Sequence, residues 1–288
     1  MKMIAPSIAK NFKYYFLGAL FLGVVFVWYA VLAETRNGLK VVFLDVGQGD
    51  AIFIEAPNGN QVLIDGGPNK AVLRELAKQM PFYDRSLDGI IVTHPHLDHY
   101  GGFADVINNY KINFEMDSGN DNPESKGFDI YIKKLEEEKA KRIFAKRGMM
   151  VNLDKGIYLD ILLPVINKEG LSAHDEMVVI RLVYGNNSFL LTGDMEDNLE
   201  NFLLSLGDNL KSDVLKIGHH GSLTSTSESF LGWVKPSLAI ISVGKNNKYG
   251  HPKKEILDRL AKFEIPTLRT DEKGTIVIKS DGEKFVVK

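Results

Sequence analysis

The sequence predicts a mixed α/β (α+β) chain in which two β-sheets pack face to face with helices outside, preceded by one N-terminal transmembrane helix. Three observations carry that expectation. Short apolar runs joined by Gly-, Asn- and Pro-marked turns open the folded part, and Asn58-Gly59 is a strong hairpin signal. Further on, strand-like runs alternate with helical periods, the pattern of sheets covered by helices. Before all of this, Tyr14 to Ala33 form an uncharged apolar stretch between Lys10 and Lys13 on one side and Glu34 on the other. At about 1.5 Å per residue, a helix of that length crosses a hydrocarbon core of about 30 Å.

Lysines 2, 10 and 13 favour a cytoplasmic N-terminus over residues 1–13, so that 14–33 is a signal anchor and a domain over 37–288 lies on the outer face of the cell membrane. A cleaved signal peptide is the rival, because Val31-Leu32-Ala33 offers small residues before Glu34, and the domain would then be secreted. Bulky Phe21, Phe26 and Trp28 argue for the uncleaved, single-pass anchor. The periodicities then predict strands over 39–44, 51–55 and 61–65, a helix over 72–79 and a strand over 89–93. A helix over 103–108, a strand near Phe114 and a polar loop over 117–127 follow. The second half predicts an amphipathic helix over 128–139 and strands over 142–145, 157–163, 178–184 and 188–192. Helices over 197–206, 227–233 and 254–263 then alternate with the apolar runs 214–218 and 238–244, before a strand pair at 275–279 and 284–287. No internal repeat or linker interrupts the order.

With no cysteine in the chain, thiolate metal sites and disulfide frameworks are excluded, so any metal ligand is His, Asp, Glu or similar. Beyond Arg36 the chain holds 31 basic and 36 acidic residues, a net charge of −5, which is not the surface a phosphate backbone normally meets. One local basic cluster stands out: Lys133, Lys134, Lys139, Lys141, Arg142, Lys146 and Arg147, interleaved with Glu136, Glu137 and Glu138. A solvated helix face and edge strand account for it more simply than nucleic acid does.

The most specific signal is His94-Pro95-His96-Leu97-Asp98-His99, which follows the apolar run Gly89 to Thr93 and holds three of the seven histidines. A strand ending in a tight loop can aim imidazoles and a carboxylate into one pocket, the mix of nitrogen and oxygen donors that two adjacent divalent ions need. Three further apolar runs end on such groups: Leu190-Leu191-Thr192-Gly193-Asp194, Val214 to Gly218 before His219-His220-Gly221-Ser222, and Leu238 to Gly244 before Tyr249-Gly250-His251-Pro252. Each histidine alone reads as an ordinary surface or core residue. Together they describe a site built on loops at the ends of a rigid sheet.

HxHxDH, a later TGD and a last His resemble the metallo-β-lactamase superfamily. The segments Phe43 to Ala51, Leu63-Ile64-Asp65-Gly66-Gly67, Leu215 to Ser222 and Ser242 to Pro252 narrow the resemblance to the extracellular domain of ComEC-type DNA-uptake proteins, over residues 38 to 288. The resemblance implies a four-layer αββα sandwich and two divalent metal ions, zinc or alternatively manganese. It implies His94 and His96 on one ion, Asp98 and His99 on the second, Asp194 bridging both, and His251 as last ligand of the second. Gly193 would let the bridging turn approach closely. The third imidazole of the first ion is either one of the His219-His220 pair or His174; Met177 departs from the family's usual Ser.

Such a centre supports metal-assisted hydrolysis, in which two ions bring the pKa of bound water toward neutrality and stabilise the oxyanion, with no protein nucleophile. Asp98, His219 and His220 are the candidate catalytic groups, the non-ligating histidine of the pair donating to a phosphate oxygen or leaving group. Asp65 is expected to orient ligand imidazoles, Ser222 and Asn246 to contact substrate, and Asp45 and Asp50 to form turns. Three functions stay open: a phosphodiesterase acting on DNA in competence-type uptake, a hydrolase of another exported ester such as phosphorylcholine or a β-lactam, and a non-catalytic accessory subunit. With one span in this sequence, transport would need a separate membrane channel subunit.

Overall fold

A computed structural model describes residues 7–33, 38–119, 127–165 and 176–288. His174 and the tip of the loop expected over 117–127 lie outside the described residues. The chain divides into two units, Met1–Asn37 and Gly38–Lys288. The first is one helix, α1 (Ser7–Ala33), whose Asn11–Tyr29 stretch has a mean hydropathy of 1.5 and no buried side chain. By length and composition it can cross a membrane.

In the second unit an eight-stranded sheet has the order β15-β14-β1-β2-β3-β4-β5-β6. Its members are β1 (Leu39–Phe43), β2 (Ile52–Glu55), β3 (Gln61–Ile64), β4 (Ser86–Ile91), β5 (Lys111–Asp117), β6 (Lys141–Phe144), β14 (Ile276–Ser280) and β15 (Phe285–Val287). A seven-stranded sheet has the order β13-β12-β11-β10-β9-β8-β7. It comprises β7 (Met150–Asp154), β8 (Ile157–Leu163), β9 (Val179–Tyr184), β10 (Asn187–Leu191), β11 (Val214–Lys216), β12 (Leu238–Ile241) and β13 (Thr267–Arg269). Alternate side chains point to opposite faces of a strand, and in the central strands both faces are buried. Val41, Phe43, Ile54 and Ile64 meet Leu159, Ile180, Phe189 and Leu191 between the sheets. Val42, Phe53, Leu63 and Ile90 instead pack outward in one cluster with α2 (Ala71–Leu76), α3 (Leu97–Tyr100), α4 (Phe103–Asn109) and α5 (Gly127–Glu138). Leu190, Leu215 and Ala239 do so on α6 (Asp197–Ser205), α7 (Glu228–Val234) and α8 (Lys254–Lys262). The result is the helix–sheet–sheet–helix layering expected.

β7 and β13 were not expected. Both are edge strands, and neither presents the two-sided apolar run of an interior strand: of Met150–Asp154 only Leu153 is buried, and Thr267–Arg269 has no buried residue. What positions the site is the parallel half of each sheet. β3, β4, β5 and β6 run parallel, as do β10, β11, β12 and β13, so the loops after β3, β4, β10, β11 and β12 can meet along one edge.

Candidate metal centre

The loops after β4, β10 and β11 bring two donor groups together. Asp98, His99, Asp194 and His220 form one, and His94, His96 and Asp194 the other, with one ligand atom from each residue lying within 4.8 Å of the rest. Asp194 belongs to both. Its Oδ2 lies 3.3 Å from His99 Nε2 and 3.9 Å from both His94 Nε2 and His219 Nε2; its Oδ1 lies 3.5 Å from His220 Nε2. His220 Nε2 is also 3.4 Å from Asp98 Oδ2. Gly193, at φ 53, makes this delivery feasible: the backbone there is left-handed, and an added Cβ would crowd Thr93 at 3.2 Å.

Four imidazoles, those of His94, His99, His219 and His220, are fixed through Nδ1, so that Nε2 faces inward. Asp65 is the hub on one side: its carboxylate accepts from Thr93 N at 2.8 Å, Thr93 Oγ1 at 2.7 Å and His99 Nδ1 at 2.8 Å. Because the Thr93 hydroxyl donates to Asp65, its oxygen is left to accept from His94 Nδ1, 3.1 Å away. On the other side His220 Nδ1 donates to Ser242 O at 2.9 Å and His219 Nδ1 to Glu196 at 3.0 Å. His219 and His220 both adopt left-handed backbone, φ 45 and 54, uncommon for residues with a Cβ. That tight turn sends two adjacent rings to different groups.

Beneath the donors lies a buried Lys216–Asp50 ion pair, both residues at most 1% exposed. Lys216 Nζ also donates to Gly193 O at 2.7 Å and sits 3.9 Å from Asp194 Oδ1. Asp50 therefore does not merely form a turn, as its Gly-rich surroundings suggested, whereas Asp45 does, accepting from Gly47 N at 3.3 Å. Thr93, Glu196 and Lys216 were missed as site residues. The available signal for the last was a lysine closing an otherwise apolar parallel strand.

His94 Nε2, His99 Nε2, His220 Nε2 and Asp194 Oδ1 are buried and without a hydrogen-bond partner, an expensive arrangement in a protein interior unless something else satisfies them. Borderline nitrogen and hard oxygen donors converging on two points fit two divalent cations. The electrostatics agree. Burial disfavours charge on His99, yet the Asp194 and Asp65 carboxylates hold it well above its ordinary value. His220 is likewise raised by Asp194 and Asp98 against its burial. Asp194 and Asp98 lie below the carboxylate range because neighbouring imidazoles overcome desolvation. His94 is pushed well down, by burial and by His99 beside it. Without metal, imidazolium provides the positive charge at the carboxylates.

The cavity over the centre has a volume of about 380 Å3 and is lined by Gln48, Pro95, His96, Leu97, Asp98, Asp194, His219, His220, Tyr249 and His251. A second, of about 250 Å3, lies beside His94, His96 and His219 and is closed by Met177, Glu196, Asn198 and Leu199. Several candidates fall differently from the expectation. His220 joins Asp98 and His99, and the ring near the His94–His96 group is that of His219. His251 belongs to neither donor group; it lies on the cavity wall, 5.9 Å ring to ring from His219, and burial with the positive charge of His219 and His220 lowers its pKa to about 4. Ser222 Oγ pairs with Thr224 Oγ1 at 3.0 Å within its own turn, and Asn246 is an exposed turn residue at φ 55. Neither lines the cavity. Arg142 is tied to Asp117 at 2.6 Å and lies 3.8 Å from buried Glu115, so it is not a free cation of the basic cluster.

A fold of two sheets between helices, with paired His/Asp donor groups at their edge, defines a metallohydrolase-type scaffold. The chain belongs to the metallo-β-lactamase superfamily, whose model matches residues 44–245. It is 32% identical over 283 residues to ComE operon protein 3 of Bacillus subtilis (strain 168), covering 90% of this chain and 35% of that protein. It is 31% identical to Recombination protein 2 of Haemophilus influenzae, covering 95% and 33%, and 30% identical to Competence protein ComA of Neisseria gonorrhoeae, covering 87% and 34%. The chain thus spans about a third of the length of the curated relatives it matches. Among solved structures, CmlA, a diiron beta-hydroxylase from Streptomyces venezuelae, superposes with a TM-score of 0.53 at 13% identity, covering 85% of this chain and 55% of that one, which shows the fold alone.

Proposed function

We propose that the chain is a membrane-anchored, exported phosphodiesterase that cleaves DNA in connection with competence-type uptake, using two divalent ions. The observation that carries this is the convergence of unpartnered Nε2 and carboxylate atoms on two points sharing Asp194, under an open cavity. The names of the relatives, which speak of competence and recombination, support DNA as the substrate, and α1 supports the anchor, with the lysines before it favouring export of the domain on its C-terminal side. Zinc is the preferred ion and manganese the alternative, since the donor set suits both.

When bound, the ions supply an activated water and Lewis-acid stabilisation of charge on the phosphate. His94, His96 and Asp194 would hold one, with His219 completing the set, and Asp98, His99, His220 and Asp194 the other. The protein's own work is orientation. Asp65 with Thr93, Ser242 O and Glu196 fix the rings of His94, His99, His219 and His220 in the tautomer that leaves Nε2 as an acceptor. His251, kept neutral chiefly by its burial, stands on the cavity wall where it can donate a hydrogen bond to a leaving oxygen. The test is cleavage of linear, supercoiled and single-stranded DNA beside a chromogenic phosphodiester, with zinc and with manganese. The acidic balance of the domain favours a small ester as the rival substrate. DNA left intact under either metal, beside robust turnover of a phosphorylcholine or β-lactam ester, would replace this reading with that one.

A further inference from the structure

Charge on this domain is unevenly placed. The segment from Lys245 to Lys254 carries four lysines and no acid in ten residues, within a domain whose net charge is negative. It leaves the end of β12 and returns to α8, and two of its members, Tyr249 and His251, line the cavity over the donor groups. Its shape is held from within. Asn247 donates to Gly244 O at 3.0 Å and His251 O at 2.7 Å and accepts from His251 N at 3.0 Å, while Lys253 Nζ donates to Tyr249 O at 2.7 Å. At its base Gly244 N donates to Gln48 Oε1 at 3.1 Å, tying the segment to the β1–β2 loop. Lys254 is occupied by Asp258.

Tyr249 is 50% exposed, although large aromatic rings are usually covered. It stacks on His251 at 5.7 Å between centroids and 22° between planes, and the exposed Lys248 holds its ammonium 4.9 Å from the ring centre. Lys245 is exposed on the same loop. A braced aromatic ring with lysines around it, at the mouth of a phosphate-cleaving cavity, is the combination that binds unpaired nucleotides: bases stack on the ring and the cations follow the backbone. The basic cluster over 133–147 is less suited, because Lys134 is bonded to Asn108, Arg142 to Asp117 and Arg147 to Asp208.

We propose that the 245–254 loop is a single-strand ledge, on which Tyr249 stacks a base of the DNA substrate while Lys245 and Lys248 hold its phosphates, so that the next phosphate enters the centre. The proposal rests on the DNA reading above. A base flat on Tyr249 must be unpaired, which makes single-stranded DNA, or a frayed end, the preferred form. Lys248 is a flexible side chain and can leave the ring for the phosphate beside an arriving base.

The test uses the full chain in detergent, metal-loaded, with a fluorescein-labelled, cleavage-resistant phosphorothioate oligothymidine and a duplex of equal length, read by anisotropy across a salt series. Wild type should bind the single strand more tightly than the duplex. Tyr249→Ala should weaken single-strand binding by roughly tenfold and Tyr249→Phe should retain it. The Lys245→Gln/Lys248→Gln pair should lower the slope of log affinity against log salt by about 1.4, at about 0.7 per phosphate contact on a single strand. Equal binding by Tyr249→Ala and wild type, or an unchanged salt slope in the lysine pair, would overturn the ledge. The two readings fail separately. An oligonucleotide that binds with these dependences while natural DNA is never cut leaves the ledge standing and removes the nuclease. DNA cut by these variants as fast as by wild type, relative to a small diester, does the reverse.

Discussion

Replacing Lys216 by Met isolates what lies beneath the donor groups. The side chain is fully buried, and Met keeps the unbranched stem one atom shorter and without the charge, so packing is largely preserved. Gly193 O loses one donor but keeps another, His219 N at 3.3 Å. Asp50 fares worse. The nearest other donors are His220 Nδ1 at 3.5 Å and His99 Nδ1 at 3.9 Å, and each is already held, by Ser242 O at 2.9 Å and Asp65 at 2.8 Å. Removing one partner of a buried pair costs about 3–5 kcal/mol because the other charge stays buried and unpaired. Urea unfolding of chelator-treated protein, followed by circular dichroism, should show a loss in that range for Lys216→Met. Adding Asp50→Asn should recover part of it, with a coupling of about 2 kcal/mol in the double-mutant cycle. A loss below about 1 kcal/mol, or additive single effects, would mean that the pair does not brace the Gly193–Asp194 turn.

Metal analysis of protein purified without chelator should give near two divalent ions per chain and clearly less for Asp194→Ala; less than half an equivalent in wild type would refute a binuclear centre. His96→Ala and Asp98→Ala should abolish hydrolysis with unchanged circular dichroism, since both side chains are only partly buried and sit on loops; full turnover in either variant would remove that residue from the centre. His99 and His220 lie above the ordinary histidine value, so the stability they contribute to metal-free protein is fully present below about pH 6.5 and is lost as pH rises through their folded values. His94 and His251, held low, titrate beneath that window. The melting temperature of metal-free protein should therefore fall as pH rises above about 6.5, and one that rises would contradict the assignment. Arg142→Glu should destabilise the fold by replacing the cation that pairs with Asp117 by a second carboxylate, next to a Glu115 carboxyl that burial and Asp117 push up to about 9, whereas Lys141→Glu, on an exposed side chain, should leave the melting temperature near wild type.

The HxHxDH run was legible because its donors are local: one strand and one turn deliver four of them. The central strands were legible for a similar reason, since burial on both faces writes a continuous apolar run that turn residues delimit. The edge strands β7 and β13 escaped because they bury little. Long-range pairing escaped altogether. Nothing near Asp50 in sequence announces Lys216, and a carboxylate after Gly47-Gln48-Gly49 has the composition of a turn. The partition of His219 and His220 between the two groups depends on two consecutive left-handed residues, a backbone choice that propensities do not foresee. Thr93 was seen as the last residue of a strand, and its work as the hydroxyl between Asp65 and His94 exists only once both arrive.

On the two-ion reading proposed above, the charges of the centre would suit a monoanionic substrate group. Asp98 and Asp194 line the donor groups, and Asp50 and Asp65 lie directly behind them, giving four carboxylates against one buried lysine. Two divalent cations with neutral imidazoles would turn that deficit into a single positive charge, which one phosphodiester neutralises. Metal-free protein offsets part of that deficit by another route, with His99 and His220 held toward imidazolium by those carboxylates. Metal and proton thus compete for the same nitrogen atoms, and affinity for metal must rise with pH. The lysines of the 245–254 loop stand outside this balance. On the proposed ledge they would meet phosphates that do not react, so that an acidic domain could hold a polyanion through a short basic strip while its centre takes one phosphate at a time.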